Sequence, residues 1–245
     1  MIRLWKININ KFNDSMVKLV LLDLDDTLLD TNMNRFLPHY FKALGEKLKD
    51  FLPPEEMIGL ILKATRYMMN NRREDTTNKQ AFDDIFYNEL SVAPDIIDPV
   101  IEEFYEKDFP RLKIYVNKIP LTRLFVEYLF LKKMQVVIAT NPLFPLRAIE
   151  HRLEWAGISD FPFKLITAYE NSHFSKPNPF YYKEILDKCS AEPQYAVMIG
   201  DDEENDILPA NETGIRTFRI TNEDNYIYSE KGTLQQCFDW LKTIL

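Results

Sequence analysis

Asp23, Asp25 and Asp26 fall within four positions and are followed by Thr27. Far downstream, Asp201, Asp202, Glu203, Glu204 and Asp206 put five carboxylates into the six positions 201–206. Like charges at close range raise one another's pKa values and destabilise a fold. A hard dication removes that penalty. Mg2+ takes oxygen ligands, and it prefers one or two carboxylates plus waters and phosphate oxygens to an all-protein cage. The acids therefore predict Mg2+, provided that the two clusters meet in space. Thr140, Asn141 and Lys176 supply a hydroxyl, an amide and an ammonium group. A lysine and a hydroxyl are how phosphate charge is met, so the set as a whole predicts Mg2+ beside a phosphorylated ligand.

The elements that must position these residues are short apolar runs. Val17–Leu22 ends in Asp23, Val136–Ala139 ends in Thr140, and Ala196–Ile199 leads through Gly200 into Asp201. Leu165–Thr167 and Thr217–Ile220 are runs of the same kind. Continuous Val, Ile and Leu runs of this length predict strands buried on both faces, as in a parallel sheet. Helical stripes lie between them. Leu121, Leu124, Phe125, Tyr128 and Leu129 share one helix face, as do Tyr181, Tyr182, Ile185, Leu186 and Cys189. Ile149, Leu153, Trp155 and Ala156 mark another helix, stopped by Gly157. Strands alternating with helices predict an α/β fold with a doubly wound parallel sheet. Ligands of such sheets bind beyond the carboxyl ends of the strands, where all the candidate residues fall. Lys176 sits in the segment SKPNP, between the third strand and the next helix.

One interval breaks the alternation. A strand–helix–strand unit takes roughly 30 residues, yet the first strand ends near Leu22 and the next begins near Gln135. The excess carries four helical stripes. Leu37, Tyr40, Phe41, Leu44 and Leu48 form the first, and Met57, Leu60, Ile61, Ala64 and Met68 the second. Phe82, Ile85, Phe86 and Leu90 form the third, and Ile97, Val100, Ile101, Phe104 and Tyr105 the fourth. Residues 31–112 are thus expected to be an inserted all-α cap of four helices, with 16–30 and 113–245 forming the core domain. Residues 1–15 read as an extension, because Met16 opens the first strand directly.

Composition narrows the functions. The chain has 245 residues, 46% of them hydrophobic, and a net charge of −8. That length suffices for one full domain with an insertion. Nucleic acid and anionic membranes need clustered Lys and Arg, so neither is expected as a partner. No apolar run approaches the ~20 residues of a membrane helix. Two unpaired cysteines, Cys189 and Cys237, fit a reduced, cytoplasmic setting. Oligomeric state leaves no mark in the sequence.

The sequence VKLVLLDLDDTL, with Asp-x-Asp-x-Thr at a strand end, resembles the first motif of the haloacid dehalogenase superfamily. VVIATN resembles its second motif, Lys176 its third, and MIGDDEEND its fourth. The four occur in order from Val17 to about Ile220. The resemblance implies a Rossmann-like core and hydrolysis of a small phosphorylated metabolite with Mg2+ as cofactor. It implies Asp23 as nucleophile, forming an aspartyl-phosphate, and Asp25 as the acid and base that serves the leaving group and then water. Mg2+ would be held by the Asp23 and Asp201 carboxylates and the Asp25 backbone carbonyl. Thr140, the Asn141 amide and Lys176 would bind the phosphoryl group, and Asp206 would orient Lys176 or a metal-bound water.

Other readings share these motifs. A phosphomutase would use all four and differ in how its cap excludes water. A dehalogenase of the superfamily lacks an acid at the position of Asp25. A phosphonatase needs a cap lysine for a Schiff base, and none of Lys42, Lys47, Lys49 or Lys63 is marked out. A non-catalytic binding protein is expected to have lost Asp23, Asp25 or Lys176. Asp26, Asp30, Asp202, Glu203 and Glu204 read as surface or turn acids. His39, His151 and His173 are not spaced as a metal set. Arg66, Arg72 and Arg73 read as a solvated loop that has the charge to meet a second anionic group.

Overall fold

A computed structural model describes residues 17–222 and 230–245. The extension 1–15 and the expected start at Met16 lie outside the described residues. Six parallel strands form one sheet in the order β5-β4-β1-β6-β7-β8. They are β1 (Leu19–Leu22), β4 (Gln135–Ile138), β5 (Leu165–Ile166), β6 (Ala196–Gly200), β7 (Arg216–Ile220) and β8 (Glu230–Gly232). β1 lies at the centre, with Leu22 in register with Ile138 on one side and Ile199 on the other. Its four residues are fully buried because both faces of the sheet are covered. Leu19, Leu21, Val137 and Met198 pack with Tyr181, Tyr182 and Ile185 of α7 (Pro179–Cys189). Val20, Leu22, Ile138 and Val197 belong to the opposite core, with residues of α5 (Thr122–Leu131), α6 (Leu146–Ala156) and α9 (Leu234–Ile244). A short helix, α8 (Leu208–Glu212), precedes β7.

α6 ends where expected, with Gly157 at φ 77° in the left-handed conformation that glycine adopts without steric cost. The face of α5 differs from the expected stripe. Thr122, Phe125, Val126 and Leu129 are its buried residues, and Leu124 is 55% exposed. The helix is rotated because the Thr122 hydroxyl donates to the Leu28 carbonyl at 2.7 Å, which pins that residue inward.

Between β1 and β4 the chain is helical from Met33 to Tyr115. It forms α1 (Met33–Lys47), α2 (Pro54–Met69), α3 (Asn78–Leu90) and α4 (Pro94–Glu103), then a π-helical turn (Phe104–Asp108) and a 3-10 turn (Phe109–Tyr115). An antiparallel pair the sequence does not announce, β2 (Leu29–Asp30) with β3 (Asn117–Lys118), joins the two ends of this stretch. Asn117 Nδ2 donates to Asp30 Oδ2 at 2.9 Å across it. The stretch is packed onto the sheet side of the molecule by aromatic rings. Trp155 of α6 stacks on Phe109, with centroids 5.3 Å apart, and lies 6.2 Å from Phe36 of α1. No helix among the described residues is long and apolar enough to cross a membrane.

Candidate active site

Asp23 is the first residue beyond β1, and its amide donates to the Ile199 carbonyl at 2.9 Å. That bond continues the ladder to β6 and fixes Asp23 beside the chain that leads to Asp201. The two acid clusters of the sequence therefore do meet. The segment after β6 turns back through a π-helical turn, Glu203–Ile207. Asp202 caps it by accepting from the amides of Glu204 and Asn205 at 2.9 and 3.0 Å. The turn returns Asp206 to the strand end, where it is 1% exposed. A Cβ at position 200 would lie 2.1 Å from Asp206 Oδ2, so only glycine lets that carboxylate approach. Asp23, Asp201 and Asp206 each present an oxygen within 4.8 Å of the others.

Lys176 is 2% exposed and sits among them. Its Nζ donates to Asp23 Oδ1 at 2.7 Å and to Asp206 Oδ1 at 2.5 Å. Burial works against the ammonium ion, but Asp206 and Asp23 hold its pKa well above the usual lysine value. Burial pushes the Asp23 carboxyl up to about 8, with Lys176 opposing and Asp206 reinforcing the rise. Burial and then the Asp23 charge push Asp201 up to about 7, and burial raises Asp206 to about 6 against Lys176. One ammonium ion against three close carboxylates leaves uncompensated negative charge. The donors are all oxygens, two of the three are nearly inaccessible, and Thr27 Oγ1 steadies Asp201 at 3.1 Å. Such a set fits a hard dication of the Mg2+ type.

Thr140 and Asn141 follow β4 on the neighbouring side of β1. Thr140 is 3% exposed, and its carbonyl accepts from Thr167 Oγ1 at 2.7 Å and the Tyr181 hydroxyl at 2.8 Å. Asn141 Oδ1 accepts from the Lys176 amide at 3.2 Å, tying this loop to the lysine. Thr140, Asn141 and Asp25 line one cavity of about 640 Å3.

The Asp25 carboxylate is not one of the three clustered carboxylates, although its charge reaches Asp23. Its Oδ1 accepts from Thr31 Oγ1 at 2.7 Å, and its Oδ2 pairs with Arg152 Nη1 at 2.5 Å. Arg152 is 1% exposed, and its guanidinium carbon lies 4.6 Å from the centroid of the Phe144 ring. Reading the sequence by motif misses both Thr31 and Arg152. Arg152 did leave a signal: it falls three residues after Ile149 and one before Leu153, a cation on the buried stripe of α6.

The remaining polar residues occupy structural or surface places. Asp26, at φ 61°, accepts from the amides of Thr31 and Asn32 at 3.1 and 2.7 Å and so closes a turn. Glu203 pairs with Arg219 at 2.9 Å. His39 stacks on Tyr115 at 3.6 Å, His151 contacts the Tyr105 carbonyl at 3.0 Å, and His173 pairs with Glu184 at 2.8 Å. Arg66, Arg72 and Arg73 are exposed and do not line the cavity.

Residues 20–220 match the sequence profile of a family described as haloacid dehalogenase-like hydrolase. The chain is 27% identical over 212 residues to a glyceraldehyde 3-phosphate phosphatase of Methanopyrus kandleri, covering 84% of each protein. It is 25% identical over 218 residues to the pyrophosphatase PpaX of Oceanobacillus iheyensis, covering 87% of this chain and 89% of that one. Among solved structures, a phosphatase of the same family from Thermococcus onnurineus shares the fold, with a TM-score of 0.57. That match has 19% identity and covers 92% of this chain and 98% of the other.

Proposed function

The chain belongs to the haloacid dehalogenase-like hydrolase family, and we propose that within it the protein is a Mg2+-dependent phosphohydrolase acting on a small phosphorylated metabolite. It is a hydrolase of phosphate esters, as its relative the glyceraldehyde 3-phosphate phosphatase is by name. One observation carries the reading: Asp23 lies in a ring of Lys176, Asp201 and Asp206, while Asp25, two residues on, faces the adjoining cavity. An acid at that position serves phosphoryl transfer and has no task in displacing a halide from carbon.

The Asp23 and Asp201 carboxylates and the Asp25 backbone carbonyl would hold Mg2+, whose charge would offset that of the phosphoryl oxygens. Asp23 attacks phosphorus through a carboxylate oxygen. The bond to the leaving oxygen breaks, and Asp25 supplies the proton that oxygen needs. A water then attacks the phosphorus of the aspartyl-phosphate, Asp25 takes back a proton, and the bond to Asp23 breaks to release phosphate. Thr140 Oγ1 and the Asn141 amide bind phosphoryl oxygens throughout. Lys176 balances charge on both the phosphoryl group and Asp23, and Asp206 keeps Lys176 in place. We assign residues 31–112 as a cap that closes over this site and keeps bulk water from it, and residues 16–30 and 113–245 as the core beneath.

Phosphate release from p-nitrophenyl phosphate tests the reading, with and without Mg2+, on the wild type and Asp23→Asn. The variant is expected to lose at least about 10^3-fold in kcat/KM, since nucleophile losses are typically of that order or larger. Full activity in Asp23→Asn would overturn the nucleophile, and a Mg2+-independent rate would overturn the metal. Free phosphate as the product of sugar phosphates, rather than an isomer, separates hydrolysis from mutase chemistry.

A further inference from the structure

The cavity that opens on Asp25, Thr140 and Asn141 runs on between the helices of the Met33–Tyr115 stretch. Away from the strand ends its wall is apolar. Leu37 and Phe41 of α1, Ile61 of α2, Phe82 and Phe86 of α3, and Ile101 of α4 supply it. Phe82 and Phe86 stack with centroids 5.3 Å apart, forming a rigid aromatic face. A volume near 640 Å3 is far more than the phosphoryl group needs, and it falls in the range of pockets that enclose ligands of drug size.

The charges in the wall are of one sign once pairing is counted. Each of the three cations that reach the cavity has a carboxylate partner: Lys79 with Asp83 at 2.6 Å, Arg147 with Glu106 at 2.7 Å, and Arg152 with Asp25 at 2.5 Å, although Arg152 Nη2, at the strand-end side, is buried with no partner. Asp98 and Glu102 line the cavity too, in no ion pair among the described residues, as does Glu170, whose carboxylate feels the Lys79 charge. Asp98 accepts a hydrogen bond from the Tyr87 hydroxyl, and Glu170 accepts from the Leu146 amide at 3.0 Å. A second anionic group at the far end of a ligand would lie beside these carboxylates and meet like charge.

We infer that the substrate is a phosphomonoester of a bulky, largely apolar alcohol, neutral or cationic at its far end, and that esters bearing a second carboxylate or phosphate are rejected. This rests on the phosphohydrolase reading above and names its substrate class. The phosphoryl group takes the strand-end side of the cavity, and the alcohol lies against Phe41, Phe82 and Ile101. Glu102 and Asp98 favour an ammonium or a hydrogen-bond donor over an anion there.

Kinetics on a series with matched leaving groups tests the inference: ethyl phosphate, hexyl phosphate, and hexyl phosphates with an ω-amino or an ω-carboxy group. Hexyl phosphate is expected to exceed ethyl phosphate at least about tenfold in kcat/KM, mainly through KM, since each buried methylene contributes about 0.8 kcal/mol. The ω-amino ester should keep that gain and the ω-carboxy ester should lose it. Glu102 is exposed on α4, so Glu102→Lys should keep the fold, checked by its thermal melt, and should raise kcat/KM for the ω-carboxy ester relative to the ω-amino ester. Equal values for ethyl and hexyl phosphate, or a preference for the ω-carboxy ester, would overturn the inference. If p-nitrophenyl phosphate is hydrolysed in an Asp23-dependent way while the series runs flat, the substrate class alone fails. If no ester is hydrolysed, the phosphohydrolase reading falls and takes this one with it.

Discussion

The strand-end floor of the cavity and its helical wall are built from different interactions. On the floor, Asp23, Lys176 and Asp206 are placed by ion pairs and by bonds into the backbone ladder, and a single added carbon at Gly200 would collide with Asp206. In the wall, Phe41, Phe82 and Ile101 are partly buried apolar residues placed by packing between helices. Polar positioning demands one residue type at one place, because an unmatched buried charge is costly. Apolar packing accepts any side chain of similar volume. The floor is therefore brittle and serves the chemistry, while the wall can change and serves selection.

Lys176→Met should show the brittleness most strongly. It removes the only cation that contacts Asp23 and Asp206 among the described residues. Stripping one partner from a buried ion pair typically destabilises by about 3–5 kcal/mol. Losing a charge that stabilises the transition state costs on the order of 10^2- to 10^3-fold in kcat. Urea unfolding and p-nitrophenyl phosphate turnover measure the two losses. Mg2+ should recover part of the stability and none of the rate. A variant that keeps wild-type stability without metal would show that the floor is not held by this charge network.

Removing the metal probes the same floor through pH. The Asp201 carboxyl titrates near 7 in the folded chain against an ordinary value of 3.8. Between those values the native state binds the proton and the unfolded state does not. Stability of the metal-free protein therefore falls as pH rises from about 4 through about 7, and the Asp23 carboxyl, pushed up to about 8, extends the fall to about that pH. A shift of this size corresponds to a loss of up to roughly 4 kcal/mol. Mg2+ should abolish the slope, stabilising strongly near pH 8 and little near pH 5. Thermal melts at both pH values, with Mg2+ and with a chelator, measure this. A chelated protein that melts higher at pH 8 than at pH 5 would refute the assignment of unbalanced charge.

Arg152 lies where floor and wall meet, pairing with Asp25 on one side and facing the Phe144 ring on the other. Arg152→Met keeps the volume and removes the charge. Asp25 retains its bond from Thr31, and its side chain is 12% exposed to the cavity, so water can replace part of the lost contact. The expected destabilisation is about 2–3 kcal/mol, below that of a fully buried pair. The turnover of p-nitrophenyl phosphate should fall about tenfold or more, because a loosened Asp25 is no longer held for proton transfer. Unchanged stability with unchanged kcat would show that the wall and floor are not coupled through this residue.

The same contrast explains what the sequence revealed. The floor was legible because its residues are polar, adjacent in sequence and attached to apolar strand runs: Asp23 after β1, Thr140 after β4, Asp201 after β6. β1, β4 and β6 were legible because burial on both faces demands apolar runs, whereas β7, RTFRI, is interrupted by Arg219 and showed only as a weaker run. The four helices α1–α4 were legible from their stripes. β8 was not, since Glu230, Lys231 and Gly232 pair at a sheet edge and carry no apolar pattern. The pair β2 and β3 is two residues long on each side, too short for any periodicity. The Arg152–Asp25 pair spans 127 positions, and nothing local connects its members. The wall was illegible as a wall: Phe41, which lines the cavity, and Phe36, which is fully buried, are both aromatic residues of one helix, and only the fold decides which faces the cavity.

The smallest expected effect is the sharpest check on where the wall ends. Arg66, Arg72 and Arg73 carry the positive charge that a second anionic group would need, and they lie close to the helices of the wall. In the fold they point elsewhere. Arg73 pairs with Asp84 at 3.3 Å, both side chains being 54% exposed, and Arg72 donates to the Asn71 carbonyl at 2.7 Å. An exposed pair of this kind contributes about 0.5 kcal/mol or less. Arg73→Ala should thus leave urea unfolding almost unmoved and change KM for hexyl phosphate and its ω-carboxy derivative by less than about twofold. A selective rise in KM for the ω-carboxy ester would place this loop over the cavity in the working enzyme. It would also turn the wall from an acidic surface that excludes anions into one with a cation held in reserve, which makes this exposed arginine a stricter test of the substrate class than any residue inside the cavity.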